Sequence, residues 1–381
     1  MLQKFLDSKP LYYTEIDYTR MPRAYESIKD KLQLPTTIHI IGTNGKGTTG
    51  RFLATALVHK GFKVLHYTSP HILEFNERIW INGSNIGNEK LEQLHQNLQK
   101  LLAQEFIDTL SYFEYTTFLA VLAAAECDYL ILEAGLGGEH DATAVFDNSL
   151  TLVTPIDKDH EAFLGNTIES IATTKLNAVQ KKAILAKQKH QDVYVVAKEI
   201  GLKKNVAIYA IENYITKEDE EKIFQIAQQN TLPEYLVDNL RLSISALKEL
   251  GLEYSVKDFL NSKLFGRLTQ LSENILLDVG HNALAAESIY NALKGSKFTL
   301  VYNSYKDKDY KQILERLKPI IDEVLIIDVD DDRIEKRENL ESVLKALEIP
   351  YIQFEKIEEG RSYLVFGSFS VAQMFLKVYR G

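Results

Sequence analysis

The sequence predicts two α/β domains, a phosphate-loop domain with a mostly parallel sheet followed by a smaller Rossmann-like domain. Three observations carry this. The chain has 381 residues and 45% hydrophobic content, enough for two buried cores. Short apolar runs alternate with longer amphipathic segments, as when crossover helices join parallel strands. The alternation then stops and restarts. The first set of expected strands is Thr37 to Ile41, Val64 to Tyr67, Tyr129 to Leu132, Thr151 to Thr154, Ala183 to Ala186 and Val193 to Val196. The second is Asn274 to Leu277, Phe298 to Tyr302, Glu323 to Val329, Tyr351 to Phe354 and Tyr363 to Phe366. Helical periodicity lapses across 261–273, where Gly266 and polar residues interrupt it. The expected domains are therefore residues 1–265 and 274–381, with 266–273 as a linker. The charge-rich stretch Glu212 to Asn230 reads as a solvated helix face and loop.

Composition narrows the partners. Against 44 basic residues stand 53 acidic ones, a formal net charge of -9, which argues against a surface that tracks nucleic acid or anionic membrane. An anionic ligand must then be held by local donors. Cys127 is the sole cysteine, so an internal disulfide and a cysteine zinc cage are both excluded, as expected in a reducing compartment. Following Ala123-Ala124-Ala125, it reads as core filler and not as a nucleophile. No apolar stretch approaches the roughly 18 residues of a membrane span, and the start carries no signal-peptide run. A cytoplasmic protein is expected, acting as a monomer.

The β-branched run before Gly42 leads into Gly42-Thr43-Asn44-Gly45-Lys46-Gly47-Thr48, and a helical pattern follows with Phe52, Leu53, Ala56 and Leu57 on its buried face. Strand, glycine turn and helix are what a phosphate loop needs. Glycines let backbone N–H groups curl around phosphate, and the helix N-terminus adds positive potential. Lys46 would reach the outer phosphates of ATP, and Thr48 would offer its hydroxyl to Mg²⁺. The spacing G-x-x-G-K-G-T is shorter than the common phosphate-loop pattern. A structural glycine turn is the alternative. Lys60-Gly61 marks the helix stop.

Later strands deliver polar groups to the same edge. Tyr129 to Leu132 runs into Glu133, placing a carboxylate where ligands sit in open α/β sheets, available to the metal that bridges nucleotide phosphates. The strand before Pro155 leads to Asp157-Lys158-Asp159-His160, and His160 is a candidate ligand for a second Mg²⁺. Lys175 lies in a helical pattern that would leave a lysine in solvent, and by itself it signals nothing.

Taken together, these segments resemble the folylpolyglutamate synthase and dihydrofolate synthase family, a branch of the Mur-type amide ligases. The resemblance spans most of the chain. It rests on His39 to Thr48, on Ser69-Pro70-His71 with Phe75 to Ile79 and Ile81-Asn82-Gly83, and on Phe113-Glu114 with Thr117. Further matches are Glu133 to Gly138 with Asp141-Ala142-Thr143, Asp159-His160 and Leu164 to Thr167. In this family ATP phosphorylates the carboxylate of a pterin-benzoate or folate, and the amine of L-glutamate attacks the acyl phosphate. The resemblance implies a first Mg²⁺ among Thr48, Ser69 and Glu133, a second at His160, and a carbamylated Lys175. It places Phe113, Thr117, Asp141 and His281 near the acceptor or glutamate.

Asn239 resembles the adenine-contacting asparagine, and Arg267 in Phe265-Gly266-Arg267 the ATP-binding arginine. Asp278-Val279-Gly280-His281-Asn282 resembles the family's D-G-A-H-N segment, with Asp278 at the nucleotide. Asp307-Lys308-Asp309 and Gly367-Ser368 resemble shorter signatures. The implied site would draw on both domains and close around its substrates.

The chain departs from the family pattern at three places. Glu139 and His140 follow Gly137-Gly138 where the family carries Arg, Lys175 is followed by Leu176-Asn177 in place of Ala-Gly, and Ala283 replaces a proline. Two other readings compete with folate glutamylation: a ligase acting on a cell-wall nucleotide precursor, and a nucleotide-binding regulator that has lost ligation.

Overall fold

The computed structural model describes residues 1–10 and 17–380. They fall into two units, Met1–Leu232 with Leu236–Ser262 and Pro233–Tyr235 with Lys263–Gly381.

The first unit is built on strands β1 (Thr36–Ile41), β2 (Val64–Tyr67), β3 (Ile79–Ile81), β4 (Ser84–Asn85), β5 (Tyr129–Glu133), β6 (Leu150–Val153), β7 (Lys182–Leu185) and β8 (Ala207–Ala210). They form one eight-stranded sheet in the order β4-β3-β2-β5-β1-β6-β7-β8. Only the β2–β3 and β3–β4 pairs are antiparallel. All residues of β2 and β6 are buried, as expected of strands covered on both faces. The helix Lys46–His59 is buried along most of its length, and its Phe52, Leu53, Ala56 and Leu57 share one core with Leu240 and Ile244 of the helix Glu234–Glu249. On the opposite sheet face Tyr115, Phe118 and Leu119 of the helix Tyr112–Ala123 pack with Leu130 and Leu132.

Topology decides where a ligand can sit. From β1 the chain crosses to β2 on one side, whereas β6 lies on the other. The winding reverses at β1, so the crevice lies outside the carboxyl ends of β1, β5 and β6. The register pairs Ile40 with Glu133 and Ile41 with Val153, bringing Gly42, Glu133 and Thr154 to one edge.

The second unit contains β9 (Thr269–Ser272), β10 (Ile275–Leu277), β11 (Phe298–Tyr302), β12 (Ile321–Ile326), β13 (Tyr351–Gln353) and β14 (Tyr363–Phe366). Their order is β13-β12-β11-β14-β10-β9, with β9 antiparallel to β10. Leu300, Tyr302, Val324, Leu364 and Phe366 anchor a separate core.

Several expectations change. Residues 193–196 are not a strand. They begin the helix Gln191–Lys204, which buries Val193, Val196, Ala197 and Ile200, and this i, i+3, i+4, i+7 stripe outweighs the β-branched run. The strand expected there is β8, an edge strand whose residues are only partly covered. The segment read as a linker contains β9, and the units divide at Ser262 and Lys263. The charge-rich stretch holds the helix Lys217–Gln229, which is solvated outwardly but buries Ile223 and Ile226. Its Asp219 turns inward to Lys248 and Tyr254.

Candidate active site

The turn after β1 is held from three directions. Thr43 N–H donates to Pro155 O at 2.9 Å, and the Thr43 hydroxyl donates to Asp157 O at 3.0 Å. Gly42 has φ +137° and Gly45 has φ +89°, and a Cβ on them would come within 2.0 Å of Thr154 Oγ1 and 2.1 Å of Asn239 Oδ1. Only glycine meets both demands. Asn239 is thus packed against the turn, and it also accepts from the Thr49 hydroxyl at 3.3 Å. Lys46 begins the helix, and its Nζ donates to Gly42 O at 3.3 Å and Thr43 O at 3.1 Å. Thr48 is 1% exposed, and its hydroxyl has no hydrogen-bond partner. A buried, unsatisfied hydroxyl in the first turn of a phosphate-loop helix fits a Mg²⁺ ligand, since an orphaned buried polar group is otherwise costly.

Glu133 ends β5 and is 5% exposed. Its Oε2 accepts from the Thr68 hydroxyl and from Ser69 N–H, the latter at 3.3 Å. The loop after β2 therefore meets the loop after β5 at this carboxylate. His160 stands apart in kind: its backbone is left-handed at φ +53°, its N–H donates to Asp159 Oδ1 at 3.0 Å, and its ring faces Asp159 Oδ2 at 3.8 Å. Among the described residues, no group of three or more His, Cys, Asp or Glu gathers as a metal cage. One carboxylate with hydroxyls suits Mg²⁺, which keeps several waters and completes its shell with substrate phosphates.

Lys175 is where the structure overturns the surface reading. On the helix Ile168–Leu176 it is 4% exposed, and its Nζ donates to Gly42 O at 2.9 Å. Burial pulls its pKa down from 10.5 to about 7, helped by the charge of Lys46 and opposed by Asp159 and Asp141. A good part of this amine is neutral at physiological pH.

The candidate acceptor contacts in this unit are Asp141, in the turn after β5, and Phe113 and Thr117, on the helix before it. Asp141 is buried, and its Oδ2 accepts from Gly135 N–H at 2.9 Å and Leu136 N–H at 2.8 Å. Its Oδ1 takes the Thr143 N–H at 2.9 Å and the Thr143 hydroxyl. Both oxygens are occupied in shaping the turn, so Asp141 supports it from beneath. Thr143 in turn meets His39 Nε2 at 2.8 Å. Burial drives the His39 pKa down to about 4, keeping the ring neutral. Thr117 is fully buried and donates to Phe113 O at 2.8 Å, so its hydroxyl serves the helix. Phe113 is half-buried and stacks on Tyr67, and its ring would lie 2.7 Å from a Cβ on Gly135.

In the second unit, Asp278 is 4% exposed. It accepts from the Tyr235 hydroxyl at 3.0 Å, Leu268 N–H at 2.8 Å and Gly280 N–H at 2.7 Å. Its carboxylate organises the chain around Arg267. The Arg267 guanidinium lies 5.6 Å from the Phe369 ring centroid, and the His281 ring packs on the same phenyl at 6.4 Å. Ala283 opens the helix Ala283–Leu293, and the Asn282 side chain caps it by accepting from Ala285 N–H at 2.9 Å. An N1 residue needs no special φ lock once the cap is made, so the missing proline is tolerated.

Three supports had no sequence signal. Gln188 accepts from Ile156 N–H at 2.8 Å and donates to Ala186 O at 2.8 Å, bracing the loop after β6. His190 Nε2 meets Asp157 Oδ1 at 3.0 Å. Phe369 underlies both Arg267 and His281. A glutamine, a helix-start histidine and a phenylalanine attract no notice in one sequence. Only Gly367-Ser368 just before Phe369 offered a hint.

A sheet edge with these donors belongs to enzymes that move phosphoryl groups from a nucleotide. No protein-family model matches the chain. It is 30% identical to the dihydrofolate synthase/folylpolyglutamate synthase of Haemophilus influenzae, covering 93% of this chain and 92% of that one. The crystal structure of Helicobacter pylori folylpolyglutamate synthetase is 40% identical, with a TM-score of 0.82 over 100% of this chain and 98% of that one. The bifunctional Yersinia pestis synthase, complexed with AMPPNP and Mn ion, shares the fold at TM-score 0.81 and 23% identity, over 100% and 97% of the two chains. The chain belongs to the dihydrofolate synthase/folylpolyglutamate synthase family. It is an ATP-dependent ligase of folate metabolism.

Proposed function

We propose that this chain joins L-glutamate to the carboxylate of dihydropteroate, of a reduced folate, or of both, with ATP first converting that carboxylate to an acyl phosphate. One observation carries the reading: the unpartnered Thr48 hydroxyl, the Glu133 carboxylate and the Lys175 amine come to the same edge as the glycine turn. A free carboxylate is a poor electrophile, and its activation requires charge on the moving phosphoryl group to be neutralised. Gly42 to Thr48 cradle the phosphates, and Lys46 exchanges its two carbonyl partners for phosphate oxygens. Thr48, Ser69 and Glu133 hold a Mg²⁺ that supplies charge neutralisation when bound. His160 holds a second. Lys175, neutral in good part, would bond its nitrogen to the carbon of CO₂ and release a proton to water to give a carbamate, since only the free amine is nucleophilic. Asn239, Arg267 and Asp278 serve the nucleotide, and His281 serves glutamate. Phe113 offers its ring to the aromatic acceptor.

The Yersinia protein, complexed with AMPPNP and Mn ion, supports the nucleotide and divalent-metal part. Among the described residues no helix is long and apolar enough to cross a membrane. The test supplies purified protein with ATP, Mg²⁺, L-glutamate and either dihydropteroate or tetrahydrofolate. Acceptor-dependent ADP release and a product one glutamate heavier by mass spectrometry are expected. Failure with both acceptors refutes the proposal.

A further inference from the structure

Lys175 works only if its helix is held in register with the turn at Gly42, so what fixes the end of that helix matters. The last carbonyls of a helix have no partner within it and must find one outside. Around Lys175 each does. Thr173 O accepts from Asn177 N–H at 3.0 Å, Lys175 O from Ala178 N–H at 3.2 Å and Leu176 O from Val179 N–H at 3.0 Å. Asn177 O accepts from Lys204 Nζ. Thr174 O is taken by Glu139 N–H at 2.9 Å, across from the turn after β5.

The same Glu139 reaches over with its side chain, and its Oε2 accepts from Asn177 Nδ2 at 2.8 Å. Beneath this pair the backbones touch: a Cβ on Gly138 would lie 2.5 Å from Lys175 O and 2.8 Å from Lys175 Cα. A carboxylate beside a helix C-terminus opposes the helix dipole. Its presence there is therefore explained by what it bonds to. Glu139 and Asn177, each among the positions that depart from the family pattern on its own side of this contact, are the two ends of one hydrogen bond.

We propose that Glu139 and Asn177 form a latch that clamps the Lys175 helix to the turn after β5, making both of them positioning residues for Lys175. Displacing the helix end by a fraction of an ångström moves the Lys175 amine off Gly42, and small misplacements at a reacting centre are costly in rate.

The consequence for turnover rests on the ligase reading, whereas the placement of Lys175 does not. Two measurements on the full chain separate them. In the first, Glu139→Ala and Asn177→Ala each lower kcat about five- to tenfold, the worth of one hydrogen bond, while KM for ATP stays within about twofold. The double variant falls no further than the worse single one, and Glu139→Gln, which keeps an acceptor oxygen for Asn177, restores kcat. In the second, brief acetic anhydride treatment followed by peptide mass spectrometry reads the accessibility of the Lys175 amine. Labelling rises about fivefold in each alanine variant and returns to the wild-type rate in Glu139→Gln. Wild-type labelling in both alanine variants, or losses that multiply in the double variant, overturns the latch. A wild-type chain inactive on every acceptor overturns the ligase reading instead, and the labelling result still decides the latch.

Discussion

The turn after β1 and the turn after β5 are both glycine-rich, both follow central strands of one sheet, and both open at the same edge. Their polar groups are in opposite conditions. After β1 the Thr48 hydroxyl is buried with nothing to bond, and Lys46 makes do with the turn's own carbonyls. After β5 the Gly135 and Leu136 amides are claimed by Asp141, and the Glu139 amide by Thr174 O. The first turn keeps a buried hydroxyl without a partner, whereas in the second the Gly135, Leu136 and Glu139 amides are already bonded within the protein. Glycine content alone does not separate a binding loop from a bracing one; the accounting of hydrogen bonds does.

The largest effect should come from emptying the receiving turn. Lys46→Ala is expected to lower turnover about a hundredfold or more, as when a single preorganised donor is removed, read as acceptor-dependent ADP release. Wild-type turnover in that variant would erase the contrast between the turns. Thr48→Val keeps the shape of the side chain and removes the hydroxyl, and should weaken Mg²⁺ dependence by about tenfold or more. A Mg²⁺ titration of initial rates checks this, with Thr48→Ser expected to stay near wild type.

The bracing turn should fail differently. Asp141→Asn sets an amide NH₂ against amide donors that a carboxylate now satisfies, at a cost of about 1–3 kcal/mol in stability. A urea titration should show a lower midpoint, whereas Thr48→Val should leave the midpoint nearly unchanged.

The smallest effect per step is in pH. The folded pKa of Lys175 is about 7 against 10.5 for an ordinary lysine, so between these values the unfolded chain binds the extra proton and stability rises with pH. The gain is at most about 1.4 kcal/mol per pH unit. Lys175→Met should therefore be more stable than wild type at pH 7 and lose that advantage steadily towards pH 10. Equal slopes in urea titrations across that range would show that Lys175 is not buried as a near-neutral amine.

Legibility in the sequence followed how local each cause was. Gly42 to Thr48 was readable because three glycines, a lysine and a threonine fall within seven consecutive residues directly after an apolar run. Glu133 was readable because an apolar run stops on it. Val193 to Val196 was misread because a β-branched cluster looks like a strand until the helical stripe to Ile200 is weighed. The edge strand β8 escaped because its residues are half-exposed and alternate weakly. The bonds of Asp141 to the Gly135 and Leu136 amides and of Thr117 to Phe113 O had no sequence signal, because they depend on how the turn and the helix fold.

What the sequence determined by itself is the class of chemistry: a phosphate turn at a strand end, a carboxylate at the next, and two α/β units to carry them. Tertiary structure alone decided which groups are free to act. Lys175 lies 133 residues from Gly42 along the chain, and no local pattern says that a lysine on an ordinary helix will be buried against that carbonyl. Its environment is set by the packing of β1, the turn after β5 and the helix Ile168–Leu176. That packing removes water from the amine, and desolvation lowers the pKa of a surface-like lysine to about 7.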